Sequence, residues 1–297
     1  MAVIDTPLGV SEHPGVEHEH EEATARRSRW RGKLGIWIPG GMIALIVLAC
    51  FLGPLIFGLP KPTGGDVLNS YLPTGSPGHL LGTDGNGNDT LSRVLYGGRA
   101  SLLIAISVNL LGLLVGGTLG ALSGQIGGAV DTGIMRLLDV LIAFPSLVLT
   151  LAVAQALGPS MRNTILALAF FSIPAFARVA RAAVLRLRSL PFMAAAELCG
   201  TPRWRVLFRH LAPNIAPQVI TFGMLGMGIV IIIEGALSFL GLGVPRPNPS
   251  WGNMIADGQQ SLSATPGLVL WPSLALLVTV LSFNLLGENL RVRWSGR

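Results

Sequence analysis

The sequence predicts an all-α, polytopic membrane protein, and three observations carry that prediction. Of 297 residues, 51% are hydrophobic and only 12% are charged, whereas about a quarter of a soluble domain is charged. Mean hydropathy is +0.61, and apolar runs long enough to cross a bilayer recur along the chain. The arginines gather in short segments beside those runs. That is a topology pattern, so the net charge of +6 is not read as a nucleic-acid footprint. The cysteines, Cys50 and Cys199, lie in a span and in a loop, with no partner at metal-site spacing.

Taken in order, residues 1–33 are expected to form a largely disordered cytoplasmic tail. It holds His13, His18 and His20 among acidic residues, a solvated run with nothing to fix a metal geometry. Arg26, Arg27, Arg29, Arg31 and Lys33 follow and mark the cytoplasmic side. The opening stretch is acidic and lacks the apolar run of a cleavable signal. Residues 34–98 hold a first span, about Leu34 to Phe57, and an outer loop rich in Gly, Pro, Asn and Asp. Asp84, Asn86, Asn88 and Asp89 suggest a calcium loop, but position six from Asp84 is Asp89 and position twelve is Leu95. An EF-hand needs glycine and glutamate there, so that reading fails.

Residues 99–290 form the core, with five more spans. In the second, about Ala100 to Leu122, Gly112, Gly116, Gly120 and Gly124 recur every four residues. They predict a smooth ridge for another helix backbone. The third carries Asp131, Arg136 and Asp139 near its start. Arg136 and Asp139 are spaced to pair on one face, and Pro145 is expected to kink the helix. The fourth runs from about Thr164 to Val184, with Arg178, Arg181, Arg186 and Arg188 at its far end. The fifth, about Gln218 to Leu240, buries Glu234 in an apolar run. An acidic residue at that depth is either a structural contact or a possible part of a translocation path or partner surface. The sixth is about Leu268 to Leu286, and residues 291–297 form a basic cytoplasmic tail.

With the N-terminus inside, 15 Lys and Arg fall on the cytoplasmic side and five outside. That is the bias the positive-inside rule expects, and it puts residues 190–214 in the cytoplasm. Those residues are a basic island between apolar segments. Pro191 to Cys199 reads as a short helix that Gly200 ends in a left-handed conformation. Thr201 and Pro202 start a second helix. Trp204, Leu207, Phe208 and Leu211 fall on one stripe, and Pro213 is expected to stop the helix.

This island resembles the cytoplasmic Glu-Ala-Ala ("EAA") coupling loop of permease subunits in bacterial ABC importers, through Ala195, Ala196, Gly200 and Pro213. The family's Glu falls on Ala194, and Glu197 is the nearest carboxylate. Arg209, His210 and the Pro213-Asn214 ending resemble the oligopeptide/dipeptide subfamily. So does the outer stretch, where Gly82, Thr83, Asp84, Gly87, Asp89, Ser92, Arg93, Tyr96, Gly97 and Arg99 match its C-type subunit. Asn88 replaces an arginine of that pattern, so an ion pair is expected to be lost. The resemblance implies a type I importer permease with six transmembrane helices in the bacterial inner membrane. It implies a second homologous permease chain, two ATP-binding domains and an extracytoplasmic peptide-binding protein as partners. Trp204 and Phe208 are then candidate contacts to the ATPase.

The chain carries no phosphate-cradling loop, because its only Gly-Lys pair, Gly32-Lys33, is followed by Leu34. ATP and magnesium are therefore expected on partner subunits, with no cofactor here. The five histidines all lie outside the spans, which removes the usual intramembrane protease arrangements. A nickel-type importer shares the motifs. An ion-coupled secondary carrier would show paired ionisable residues at mid-membrane, and only Glu234 qualifies.

Overall fold

The computed structural model describes residues 14–143 and 145–295, and its regular elements are helices. The first thirteen residues of the expected tail lie outside the described residues. α1 (Pro14–Ile56) runs unbroken into the first span, and Ala23, Ala25 and the Glu and Arg residues around them are good helix formers.

Five stretches are long and apolar enough to cross a membrane: Leu34–Ile56, Thr90–Ile126, Met161–Arg188, Arg203–Phe239 and Gly267–Trp294. The second joins α2 (Thr90–Leu111) to α3 (Gly117–Ile126) through one wide turn at Gly112–Gly116. At 37 residues it is about 55 Å long, more than a bilayer core needs. The expected third span is instead two shorter helices, α4 (Gly128–Ile142) and α5 (Ser146–Leu157). Pro145 does more than kink it. It has no N–H for the Leu141 carbonyl and takes an extended ψ of 117°, so the helix breaks there. Then come α6 (Met161–Arg188), the short α7 (Pro191–Leu198) and α8 (Arg203–Arg205), and α9 (Ala212–Phe239). The fold ends with α10 (Trp251–Gly258) and α11 (Gly267–Ser295).

The glycine ridge packs on α6. A Cβ at Gly116 or Gly120 would run into the Ile173 or Ala177 carbonyl, and one at Gly112 would meet Phe176 at 2.5 Å. At Gly124 it would lie 3.0 Å from Val184. The α3–α6 seam therefore closes only because these positions lack side chains. One core cluster joins Leu102 and Ile104 of α2 to Ile231 of α9, Phe283 of α11 and Trp251 of α10. A second joins Ala180 and Val184 of α6 to Met193 of α7, Leu211, and Ile215 of α9.

Prolines inside spans leave carbonyls without donors, and side chains answer them. Pro54 cannot donate to the Cys50 carbonyl of α1. Arg99 donates to it through Nε at 2.6 Å and to the Phe51 carbonyl through Nη2 at 2.8 Å. Tyr96 stacks under that guanidinium, 4.4 Å away.

The outer loop is compact. Asp84 accepts from the Asn86 and Asn88 amides at 2.9 Å and pairs with Arg93 at 3.2 Å. Asn88 is buried and donates its own amide to Asp84, so a polar contact stands at the position where an arginine was expected. Asp89 caps α2 through the Ser92 amide. Trp251 is buried, and its indole donates to the Val94 carbonyl at 3.0 Å.

The ridge gives a paired test. Gly120→Val should cost roughly 2–3 kcal/mol or prevent folding, by overpacking against backbone that cannot move. Gly133→Val has nothing within 4 Å of its new Cβ and should stay within about 0.5 kcal/mol plus its propensity effect. Thermal unfolding of the detergent-solubilised proteins reads both, and equal melting would remove the ridge from the account.

Candidate coupling element and the groove beside it

The first half of the basic island, residues 190–214, is α7. Met193 is its buried anchor, while Ala195 is exposed and Ala196 half-buried. Gly200 follows with φ +68°, and the Thr201 amide reaches back to the Ala196 carbonyl at 3.1 Å. That closes the helix as a left-handed glycine does. Pro202 is extended, with ψ 144°, and caps the next turn rather than opening it from inside.

The second half departs from the sequence reading. Pro213 does not stop the helix. Ala212 is helical, with φ −54° and ψ −47°, and Pro213 sits in the first turn of α9. The turns before it, Val206–Leu211, are widened to the π form. A wide turn removes the clash that a proline ring makes with the preceding turn. Asn214 then donates to the His210 carbonyl at 2.6 Å. Coupling island and fifth span are therefore one continuous stretch, Arg203–Phe239, of 37 residues.

The wide turn also splits the predicted stripe, because it breaks the 3.6-residue period. Leu211 is fully buried and Val206 nearly so, while Trp204 is 61% and Phe208 69% exposed. Arg205 lies over the Trp204 ring at 5.3 Å. Two large aromatic side chains thus stand in the open at the start of a membrane-spanning rod.

Polar latches tie this end together. Gln125 of α3 donates to the Arg203 carbonyl at 2.6 Å, and Arg188 to the Gly124 carbonyl at 2.9 Å. Arg181 of α6 clasps Asp131 of α4 with two bonds of 2.6 Å, and Ser123 bonds the same carboxylate. Those bonds from Arg181 first and Ser123 second hold the Asp131 carboxyl at about 2. Asp139 pairs with Arg178 at 2.7 Å, not with Arg136 as the spacing suggested. A partner on α6 competes with the neighbour on the same helix and wins. The sequence reading singled out Asp131 but not Gln125, and it gave no role to Arg181 beyond topology.

Between α3 and α9 lies an apolar groove of about 620 Å³. Leu114, Thr118 and Leu122 form one wall, and Ile215, Phe208 and Trp204 the other. The exposed aromatics therefore belong both to the basic island and to the groove.

Glu234 sits elsewhere. It is fully buried near the end of α9, accepts from Ser238 at 2.7 Å, and has Ser101 and Ser250 beside it. Ser238 in turn accepts from the Val244 amide. A path-lining or partner-contact role at Glu234 needs surface, and in this conformation it has none. Its contacts join α9 to α2 and to the segment leading into α10.

The geometry is that of a membrane subunit in which one spanning stretch begins with two exposed aromatics. Residues 116–295 match the family described as the binding-protein-dependent transport system inner membrane component. The chain belongs to that family. It is 43% identical over 216 residues to a glutathione transport system permease protein of Pectobacterium atrosepticum, covering 73% of this chain and 72% of that one. It is 36% identical over 255 residues to a dipeptide transport system permease protein of Haemophilus influenzae, covering 84% and 86%. A di/tripeptide transport system permease protein of Pseudomonas aeruginosa is 39% identical over 222 residues, covering 75% and 73%. As an ABC permease component it is a multi-pass membrane protein that works with ATPase and substrate-binding subunits, and it is not itself an enzyme.

The Arg181–Asp131 clasp is testable by a double-mutant cycle. Arg181→Gln and Asp131→Asn should each lower thermal stability, with a coupling energy of about 1 kcal/mol because both groups are partly exposed. Strict additivity would mean the pair holds nothing.

Proposed function

We propose that this chain is the membrane-spanning permease of an ATP-driven importer for dipeptides or oligopeptides, delivered by an extracytoplasmic binding protein. The continuity of Arg203–Phe239 carries the reading. A helix that begins with exposed Trp204 and Phe208 and continues through the bilayer transmits a push at one end to the groove wall at the other. Ala195, Ala196, Gly200, Trp204, Phe208 and Pro213 form the coupling element: α7 docks, Gly200 turns the chain, the aromatics meet the ATPase, and Pro213 enforces the wide turn. ATP and magnesium are bound on two ATP-binding domains of partner chains. A second homologous permease chain supplies the rest of the path. Glu234 acts in holding the outer ends of α9, α2 and α10 together. The peptide class is supported by the glutathione, dipeptide and di/tripeptide permeases to which the chain is similar, which disfavour a nickel-type cargo or an ion-coupled carrier.

The N- and C-termini are cytoplasmic in this reading, on the strength of the basic residues. A cysteine label at Gly75 should be reachable only from outside and one at Thr201 only from inside. Labelling of both from one side would reverse the assignment.

The coupling reading predicts separable effects. Gly200→Val places a β-branched residue at φ +68° with open space around it, so strain alone is added, about 1–2 kcal/mol. It should uncouple peptide-stimulated ATP hydrolysis while the chain still inserts. Trp204→Ala should weaken ATPase association by roughly 2 kcal/mol, about thirtyfold. Co-purification and ligand-stimulated ATPase rates read both. If both variants keep full coupling, the island is only a connector.

A further inference from the structure

The groove between α3 and α9 changes character along its length. One part runs between Leu113 and Leu114 on one side and Ile215 and Val219 on the other, all apolar. At its other end stand Gln125, Arg203 and Trp204. No carboxylate lines it among the described residues.

The neutral polar side chains of the lining are already bonded. Thr118 returns its hydroxyl to the Leu114 carbonyl of its own helix at 2.6 Å, and Gln125 gives its amide to the Arg203 carbonyl at 2.6 Å. The Arg203 guanidinium has no ion-pair or hydrogen-bond partner among the described residues, and neither has that of Arg209. Arg205 meets only the Trp204 ring. Three unneutralised arginines therefore stand at the mouth of an apolar trough. Its complement is an anion with a hydrocarbon body.

The trough also lies at membrane depth. The chain has no charged residue between Arg99 and Asp131, and none between Arg209 and Glu234. The hydrocarbon layer therefore begins near Leu211 on the α9 side, with Ile215 and Val219 inside it and the three arginines at headgroup level. Trp204, beside them, is a residue type that favours that interface. Arg203 to Val219 covers about 24 Å at the helical rise of about 1.5 Å per residue. One leaflet with its headgroups is about 20–22 Å thick. Length also separates width from depth: about 620 Å³ over that distance is a mean cross-section of about 26 Å². A helix with side chains, about 10–12 Å across, needs about 80 Å² or more. The trough has the width of hydrocarbon chains, not of another helix.

We infer that this groove holds an anionic phospholipid from the leaflet on the side of the basic island, its acyl chains between α3 and α9 and its phosphate at Arg203. The inference needs the chain in a membrane and does not depend on the cargo or on the coupling role of the island.

The test uses the full-length chain with its co-expressed subunits in nanodiscs of equal parts phosphatidylglycerol and phosphatidylcholine. One or other lipid carries an acyl-chain diazirine, and adducts are mapped by mass spectrometry after irradiation. The phosphatidylglycerol probe should label both walls, residues 113–126 and 203–219, about fivefold more than the phosphatidylcholine probe. Around Leu270 and Leu277 of α11, exposed and in a stretch without basic residues, the two probes should label alike. Arg203→Gln, at an exposed position, should bring phosphatidylglycerol labelling of the walls down to the phosphatidylcholine level. Thr118→Phe, which fills the trough, should remove labelling from both walls and leave α11 unchanged. If Thr118→Phe fails to fold, Arg203→Gln decides alone. Equal labelling of the walls by both probes overturns the inference, as does a preference that survives Arg203→Gln. Absence of wall labelling overturns it too, and a crosslink from Leu122→Cys to a partner permease would then name a second protein chain as the occupant.

Discussion

Inside a bilayer every backbone polar group must find its partner within the protein. This chain puts prolines into nearly all of its long helices, at Pro39, Pro54, Pro174, Pro217 and Pro272. Much of its architecture is the answer to that constraint. Arg99 supplies the donors that Pro54 removes. The helix widens before Pro213 and breaks at Pro145.

The choice between widening and breaking has functional weight. A break uncouples two segments, and α4 and α5 are accordingly short and separate. A wide turn keeps the rod continuous while shifting its face. Val206–Leu211 buries Val206 and Leu211 and leaves Trp204 and Phe208 outside, yet loses no continuity with α9. Because the helix does not stop at Pro213, the exposed aromatics and the groove residues Ile215 and Val219 belong to one continuous stretch.

The sequence was legible where one residue type admits one physical explanation. Four glycines in register could only be a contact ridge, and they pack on α6. Gly200 before Thr201-Pro202 could only end a helix, and its φ is +68°. It was illegible where the outcome depended on a neighbour distant in sequence. Asp139 had Arg136 one turn away, but Arg178 arrives from another helix. Pro145 and Pro213 looked alike, and only the surroundings decide which helix continues. Depth alone left Glu234 open between a structural contact and a path or partner role, and its burial among Ser101, Ser238 and Ser250 is invisible without the fold. The third span was read as one helix because hydropathy averages over the break.

The two ends of the molecule are held by different forces, and this fixes where movement is possible. At the Trp251 end the contacts are directional: indole to the Val94 carbonyl, Arg93 to three segments, Ser238 to Glu234 and the Val244 amide. Several such bonds must break together for that end to rearrange, so it behaves as one body. At the coupling end the main contact is a cluster of alanines, valines and leucines around Val184 and Leu211. Apolar packing is non-directional, so helices can slide in small steps while area stays buried. Polar bonds join helices there too, two from Arg181 to Asp131 and one each from Arg186 to Gln218 and from Gln125 to the Arg203 carbonyl. Any sliding that apolar packing permits therefore lies at the α6–α9 cluster, beside the groove between α3 and α9.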